Sequence, residues 1–439
     1  MSNTNDKIRV GDYIVIKKQN YKKLHKFNKP SSSVNIGKDT VNLSGIEDCP
    51  YFSIFRMIPK GTKRHKEYNL ELSKETVNLI EEISLKTSGA DNRNIYDDGR
   101  SQKLSATEID ELKSESARAS DIVETLITNS NTFNNKTGFA QEKYLKKKEK
   151  KYFEYIQIIK PNLRTIAEIL YKLEPTKVQG IRIDTLSQII TYSNISSEGN
   201  HLLYDSGSNG LLAAALLSAM GPKGEGKLIH MHPGNMSQKQ ALLAMNFNDE
   251  QYNKCISVNV YSVLRQNYQG SDTNSCDSES VGSLKRKASD NLNNDSKIPK
   301  LKESEHVPCE NDENYEENRR EKNTETEKKK PKWHFDNINA SEILSNKVDS
   351  LVIACKEDPH NIFMELVNFV KPGRPFVIFY SVAEPLQNLY MTLKSVSKVA
   401  ALKLTCNWMR NYQVLPERTH PEVTMNVSSG FLLTGYVLK

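Results

Sequence analysis

The stretch "GNHLLYDSGSNGLLAAALLSAM" (199–220) constrains the fold more than any other. A short apolar run, His201–Asp205, ends in an acidic residue. The loop Asp205-Ser206-Gly207-Ser208-Asn209-Gly210 follows, and then Leu211–Met220, apolar and rich in helix formers. The two glycines suit a tight turn. The outline is strand–loop–helix, the first crossing of an α/β sheet, where ligands sit at the carboxyl ends of the strands. Either this loop holds a cofactor, or it keeps the shape of such a loop without its chemistry.

The surrounding chain repeats the same grammar. Helical "NLRTIAEILYKL" and "RIDTLSQIITYSN" precede the loop, and strand "GKLIHMHPG", helix "QKQALLAMNF" and strand-like "CISVNVYSVL" follow it. Residues 266–332 are poor in apolar residues and rich in Ser, Asn, Lys and Glu, which reads as a disordered insertion. The alternation then resumes with "NASEIL", "VDSLVIAC", "NIFMELVNFV" and "PFVIFYS", and closes on two strands around a polar turn. Residues 161–439 are therefore expected to form one α/β domain with a mostly parallel sheet.

Residues 1–70 read differently. "DYIVIKK", "TVNLSGI" and "YFSIFRM" are short strands separated by turn material, as in a small β-barrel or sandwich. Residues 71–160 read as a helical connection. Ser105-x-x-Glu108 is a capping-box start, and a second helix is expected from Gly138 to the stop at Pro161. That segment carries eight lysines against three glutamates between 136 and 160. Lys143, Lys146, Lys147, Lys148, Lys150 and Lys151 exceed what solubility needs and favour phosphate contact; the competing reading is a solvated helix face. The interleaved Tyr144, Tyr152, Phe153 and Tyr155 offer rings that can stack on bases, but their helix-compatible positions favour packing on the core.

The mean hydropathy of −0.62 fits cores diluted by polar linker. Six scattered cysteines without a Cys-x-x-Cys pair read as reduced thiols, not a disulfide frame or a zinc site. No run has the length of a membrane span and no secretory signal core is visible, so no membrane partner is expected. Lys285-Arg286-Lys287 followed by "KIPKLK" resembles a two-part nuclear import signal, which points to the nucleus.

The glycine loop lacks parts that a working cofactor site needs. Class I methyltransferases place an acidic residue before the loop and another after the second strand, for ribose hydroxyls. Asp205 fills the first role, but Asn209 and Leu211 stand where further glycines are wanted. "LIHMHPGN" offers no carboxylate. The strand "VDSLVIAC" ends in Ala354-Cys355-Lys356 where an acceptor-facing Asp is common. Cys355 has no His placed as its base and reads as a buried thiol. His230 and His232 lack the company of a metal site. No catalytic or metal constellation is present, and Asp205, Gly207, Asn209 and Gly210 form a degenerate loop.

"DNRNIYDDGRSQKL", "FNNKTGFAQEKYLKKKEKKY", "RIDTLSQIITYSNISSEGNHLLYDSGSNGLL" and "RNYQVLPERTHP" together closely resemble the non-catalytic subunit of the eukaryotic tRNA (adenine-N1)-methyltransferase. The resemblance spans nearly the whole chain except 266–332. It implies an N-terminal β-barrel, and a C-terminal Rossmann-like class I methyltransferase fold whose cofactor site is degenerate. It further implies a heterotetramer of two plus two with a homologous catalytic subunit, which binds S-adenosylmethionine. The assembly makes 1-methyladenosine at position 58 in the T-loop of tRNA, initiator methionyl-tRNA included. Carried onto this chain, the RNA-contact candidates are Arg93, Arg100 and the six lysines above. In the closing turn, Arg410, Tyr412, Gln413, Arg418 and His420 contact tRNA, complete the partner's site or simply pair within the subunit interface. Two other readings stay open from sequence: an active S-adenosylmethionine-dependent RNA methyltransferase, and an RNA-binding protein of translation initiation.

Overall fold

The computed structural model describes residues 7–60, 67–73, 89, 101–114, 119–152, 155–270, 331–415 and 418–438. The expected insertion falls mostly outside them, as do Arg93, Arg100 and the import-like motif. The first sheet contains β1 (Tyr13–Lys18), β2 (Tyr21–Lys26), β3 (Ser33–Ile36), β4 (Asp39–Asn42), β5 (Ile54–Pro59), β6 (Glu67–Ser73) and β7 (Tyr155–Ile159), in the order β2-β1-β7-β5-β6-β4-β3. It encloses a core of Ile14, Ile16, Phe27, Val41, Leu43, Phe55, Ile156 and Ile158. The edge strands do not pair, but Lys23 of β2 donates to the Asn35 carbonyl of β3 at 2.7 Å across the gap. The expected β-barrel is thus an almost closed one.

Strand β7 corrects the expected long helix. Between β6 and β7 lie α1 (Ala106–Ser114), α2 (Ala119–Thr128) and α3 (Gly138–Tyr152). The capping box at α1 forms as expected, with Ser105 N–H donating to Glu108 at 2.7 Å. Helix α3 ends at Tyr152 because Tyr155–Ile159 alternates, burying Ile156 and Ile158 between β1 and β5. Period-two, β-branched sequence outweighed the helical momentum of the lysine run. The helical segment is therefore inserted within the barrel, rather than strung between two domains.

The second sheet runs β10-β9-β8-β11-β12-β16-β13. Its strands are β8 (His201–Asp205), β9 (Leu228–His232), β10 (Cys255–Asn259), β11 (Ser350–Ala354), β12 (Pro375–Tyr380), β13 (Val399–Trp408) and β16 (Ser428–Val437). The first five are parallel, and β16 and β13 are antiparallel additions at one edge. The hairpin β14 (Tyr412–Leu415) and β15 (Arg418–Pro421) stands in the closing turn as a separate two-stranded ladder. Order reverses between β8 and β11, so the crevice outside their carboxyl ends is the switch point of the sheet.

Helices cover both faces. They are α4 (Leu163–Leu173), α5 (Ile183–Ser193), α6 (Leu211–Met220), α7 (Gln240–Ala244), α8 (Asp249–Tyr252), α9 (Val260–Gln269), α10 (Lys332–Ser345), α11 (Pro359–Leu366) and α12 (Glu384–Ser395). Apolar on nearly every side, α6 is buried from Leu211 to Leu217 in one of the two cores flanking the sheet. "CISVNVYSVL" is a strand only to Asn259. There the Asn side chain accepts from the Tyr261 and Ser262 N–H groups and starts α9, which ends at Gln269, inside the range expected to be insertion.

The two sheets are joined by direct bonds. Asn246 accepts from the Tyr13 N–H at 2.9 Å and donates to the Tyr13 carbonyl at 2.8 Å, as a neighbouring strand would. Lys22 pairs with Glu168 of α4 at 2.9 Å. Asn246 sits at φ +49°, a left-handed position that Asn tolerates. Replacing it by Ala strands both Tyr13 groups and adds backbone strain. Asn246→Ala is expected to cost about 1–2 kcal/mol in urea unfolding, and Asn246→Gly, which relieves only the strain, to cost less.

Candidate functional site: the glycine loop and the basic surfaces

At the switch point, β8 delivers Asp205 beside Ala354 of β11. Asp205 is buried, and its carboxylate turns into its own loop. It accepts the Gly207 N–H at 2.9 Å, the Ser208 N–H at 2.7 Å and the Ser208 hydroxyl. Ser208 Oγ in turn accepts the Leu212 N–H at the start of α6. Ser206 N–H donates to the Ala354 carbonyl, and Ser206 Oγ accepts the Lys356 N–H at 2.8 Å. Asn209, at φ +58°, donates its N–H to Gln238 Oε1 at 3.0 Å and its side-chain amide to Gln240 at 2.6 Å. The Asp205 carboxylate, the Ser206 and Ser208 hydroxyls and the Gly207, Ser208 and Asn209 N–H groups are thus engaged by the protein itself.

The glycines are spent in the same way. A Cβ on Gly207 would lie 2.5 Å from Lys356 Cε and 2.8 Å from its Nζ, so the lysine side chain already lies across that glycine. Gly210, at φ +77°, is packed so that a Cβ would meet the Gln238 carbonyl at 2.7 Å. The loop after β9 carries no carboxylate; it runs His232-Pro233-Gly234 and is held by Asn259, whose amide donates to the Pro233 and Gly234 carbonyls. A nucleoside cofactor needs close backbone approach and a ribose acceptor, and the residues here supply neither. The degenerate loop formed by Asp205, Gly207, Asn209 and Gly210 does not fit S-adenosylmethionine.

Neighbouring groups have no catalytic character either. Burial pushes the Cys355 thiol up to about 12, so it stays protonated. His230 is buried with Nε2 3.9 Å from Asp205, and burial lowers its imidazole to about 4 despite that carboxylate. His232 is lowered as well, mainly by burial, and neither Nδ1 has a hydrogen-bond partner. Among the described residues no His, Cys, Asp and Glu group has the arrangement of a metal site, and no helix is long and apolar enough to cross a membrane.

The basic helix α3 presents Lys143, Lys146 and Lys147 to solvent, Lys146 in an i,i+4 pair with Glu142 at 2.8 Å. Lys148 is half-buried, its Nζ 5.1 Å from the Tyr144 ring centroid, with Lys136 at 5.5 Å from the same ring. Tyr144 also packs on Phe133, beside the small core of Val123, Phe133 and Leu145, so this aromatic is structural. Lys150 and Lys151 are on α3, but their side chains are outside the described set.

The closing-turn residues belong to another element. Tyr412 and Gln413 lie on β14, opposite Pro421 and His420; Arg418 starts β15, opposite Leu415. Arg410 precedes the hairpin and its buried Nε has no partner. Trp408, Tyr412 and Val414 are 68%, 55% and 74% exposed, an apolar stretch that sequence reading of the turn as polar missed. Also missed were Lys177, Lys239 and Lys356, which line a cavity of about 530 Å³ at the loop. Lys356 directly after the fourth strand's end was the visible signal; the other two come together only by folding.

The Gcd10p family model matches residues 7–332. The chain belongs to the Gcd10p family. Relatives agree with that membership along the whole chain. The "tRNA (adenine(58)-N(1))-methyltransferase non-catalytic subunit TRM6" of Mus musculus is 31% identical over 98% of this chain and 88% of its own length. Its namesake in Dictyostelium discoideum is 29% identical over 98% of this chain and 80% of that protein. Among solved structures, a SAM-dependent O-methyltransferase from Thermotoga maritima aligns over 100% of this chain and 97% of that one, at 11% identity and a TM-score of 0.49.

His230 yields a pH prediction. Its folded pKa lies below the 6.5 of a free imidazole, so the unfolded chain takes up a proton first on acidification. Stability attached to the neutral ring is complete above about pH 6.5 and is lost as pH falls toward about 4. Thermal unfolding between pH 7 and 4.5 is expected to show a shallower fall for His230→Gln than for the parent protein.

Proposed function

We infer that this chain is the non-catalytic subunit of a tRNA (adenine(58)-N1)-methyltransferase. The observation that carries this reading is the glycine loop. Asp205 is closed on its own backbone, Lys356 lies over Gly207, and β9 offers no ribose carboxylate. A family member with such a loop serves the reaction by means other than transferring the methyl group. Catalysis then belongs to a partner subunit, which binds S-adenosylmethionine, and this chain binds none.

The work left to this chain is holding tRNA and the partner. Exposed Lys143, Lys146 and Lys147 on α3 supply the sequence-independent phosphate attraction that grips a folded RNA without reading it. Lys148, Lys150 and Lys151 extend the same helix, and Arg93 and Arg100 join them in the proposal. Arg410, Tyr412, Gln413, Arg418 and His420 are proposed to meet tRNA or the partner's site, supported by the exposed hairpin that carries them. Two copies of each subunit form the assembly. Its place is the nucleus, with the lysine-rich 285–302 segment as the import signal; deleting 271–330, which leaves α9 and α10 whole, is expected to abolish nuclear accumulation of a fluorescent fusion.

Calorimetry with S-adenosylmethionine separates this reading from an active enzyme. No heat is expected from the chain alone, and one site per heterodimer from the complex. Saturable binding to the isolated chain would move the active-enzyme reading to the front. Reversing Lys143, Lys146 and Lys147 together to Glu is expected to weaken tRNA binding by about tenfold or more near 0.1 M salt and to flatten its salt dependence. Unchanged affinity and slope would remove α3 from the RNA-binding surface.

A further inference from the structure

The crevice that has lost its fit for a nucleoside cofactor has acquired a different chemistry. Its lining includes Lys177, Lys239 and Lys356 with a single carboxylate, Glu174. Lys177 pairs with Glu174 at 2.7 Å. Among the described residues Lys239 and Lys356 have no ion-pair partner, which leaves two ammonium groups on one cavity wall, with the Glu357 carboxylate beside Lys356 accepting its backbone N–H at 3.2 Å. Gln238 also faces the cavity. Its carbonyl oxygen is committed to the Asn209 N–H, and the donor at the other end of the amide, the NH2 group, has no partner among the described residues. Gln240 is arranged alike against the Asn209 side chain. The free polar groups are therefore mostly donors and cations.

Lys356 is held in place before any ligand arrives. Its N–H donates to Ser206 Oγ at 2.8 Å, its carbonyl accepts the Tyr380 hydroxyl at 3.1 Å, and its stem lies over Gly207. At about 530 Å³ the cavity is the size of a nucleotide rather than of a single ion. S-adenosylmethionine brings a sulfonium cation, which such a wall repels; a phosphate brings the opposite charge and several acceptor oxygens.

We propose that this crevice is an anion site for a phosphate-bearing ligand, with Lys239 and Lys356 as its charges and Gln238 and Gln240 as neutral donors. Two sources carry that chemistry, a free nucleotide and the phosphate backbone of RNA. The site stands independently of which subunit carries the methyl transfer.

The test is calorimetry on the full chain with inorganic pyrophosphate, ADP and adenosine. The parent is compared with a Lys239→Ala/Lys356→Met double variant, in which Met keeps the apolar stem over Gly207. Pyrophosphate and ADP are expected to bind saturably and adenosine not. The double variant is expected to weaken both by about a hundredfold, roughly tenfold per lysine. No saturable pyrophosphate binding, equal affinity in the double variant, or adenosine binding as tightly as ADP would overturn the proposal. A short single-stranded oligoribonucleotide then assigns the source: displacement of pyrophosphate names the RNA backbone, and coexistence names a free nucleotide. Loss of pyrophosphate binding in a complex that still methylates tRNA touches only the anion site. S-adenosylmethionine binding to the chain alone that pyrophosphate displaces would overturn both readings, whereas loss of pyrophosphate binding with no cofactor binding overturns the anion site alone.

Discussion

Everything at the switch point follows from where the Asp205 carboxylate points. An acidic residue at the end of the first strand of an α/β sheet is available to a ligand only if its own loop leaves it free. Here two backbone N–H groups and the Ser208 hydroxyl saturate it, in a buried position where three charge-assisted bonds are strong. The same Ser208 Oγ then accepts the Leu212 N–H, the second amide of α6, and the Ser208 carbonyl accepts the first, from Leu211. The loop is a rigid cap that seats an all-apolar helix in the core, and it has nothing left over for chemistry.

That constraint propagates to the neighbours. Ser206 fixes the backbone of Lys356, which lets the lysine stem cover Gly207. Asn209 recruits Gln238 and Gln240, which presents their amide donors to the cavity. The parallel sheet, its two apolar cores and the barrel bonded to it through Asn246 form one scaffold. The crevice at the switch point of that scaffold is lined by Lys177, Lys239 and Lys356 with one carboxylate, Glu174. Fold and chemistry are separable because the sheet is set by buried side chains and the site by a few loop residues outside the strands.

The barrel teaches a related point about insertions. The helical segment with the basic face lies in sequence between β6 and β7 of one sheet, and α3 ends at Tyr152, three residues before β7 begins. A lysine-rich helix that ends so close to a paired strand offers its charges at a more defined place than a tethered tail does.

Local pattern by itself determined the α/β grammar from 161 onward, the strands β1, β4 and β5 of the first sheet, the capping box at Ser105 and the absence of a carboxylate after β9. These were legible because periodicity, turn chemistry and a missing carboxylate are properties of contiguous residues. The strand Tyr155–Ile159 was not, because its choice between helix and sheet rests on pairing with β1 and β5, over a hundred and about a hundred residues away respectively. Asn259 as a helix cap, rather than a strand interior, is likewise decided by the turn after β10. Lys177, Lys239 and Lys356 come from three distant segments and meet only when β8 and β11 lie side by side. Sequence determined what the loop lacks; tertiary structure decided what surrounds it, since charge in a cavity is a sum over residues that the chain order keeps apart.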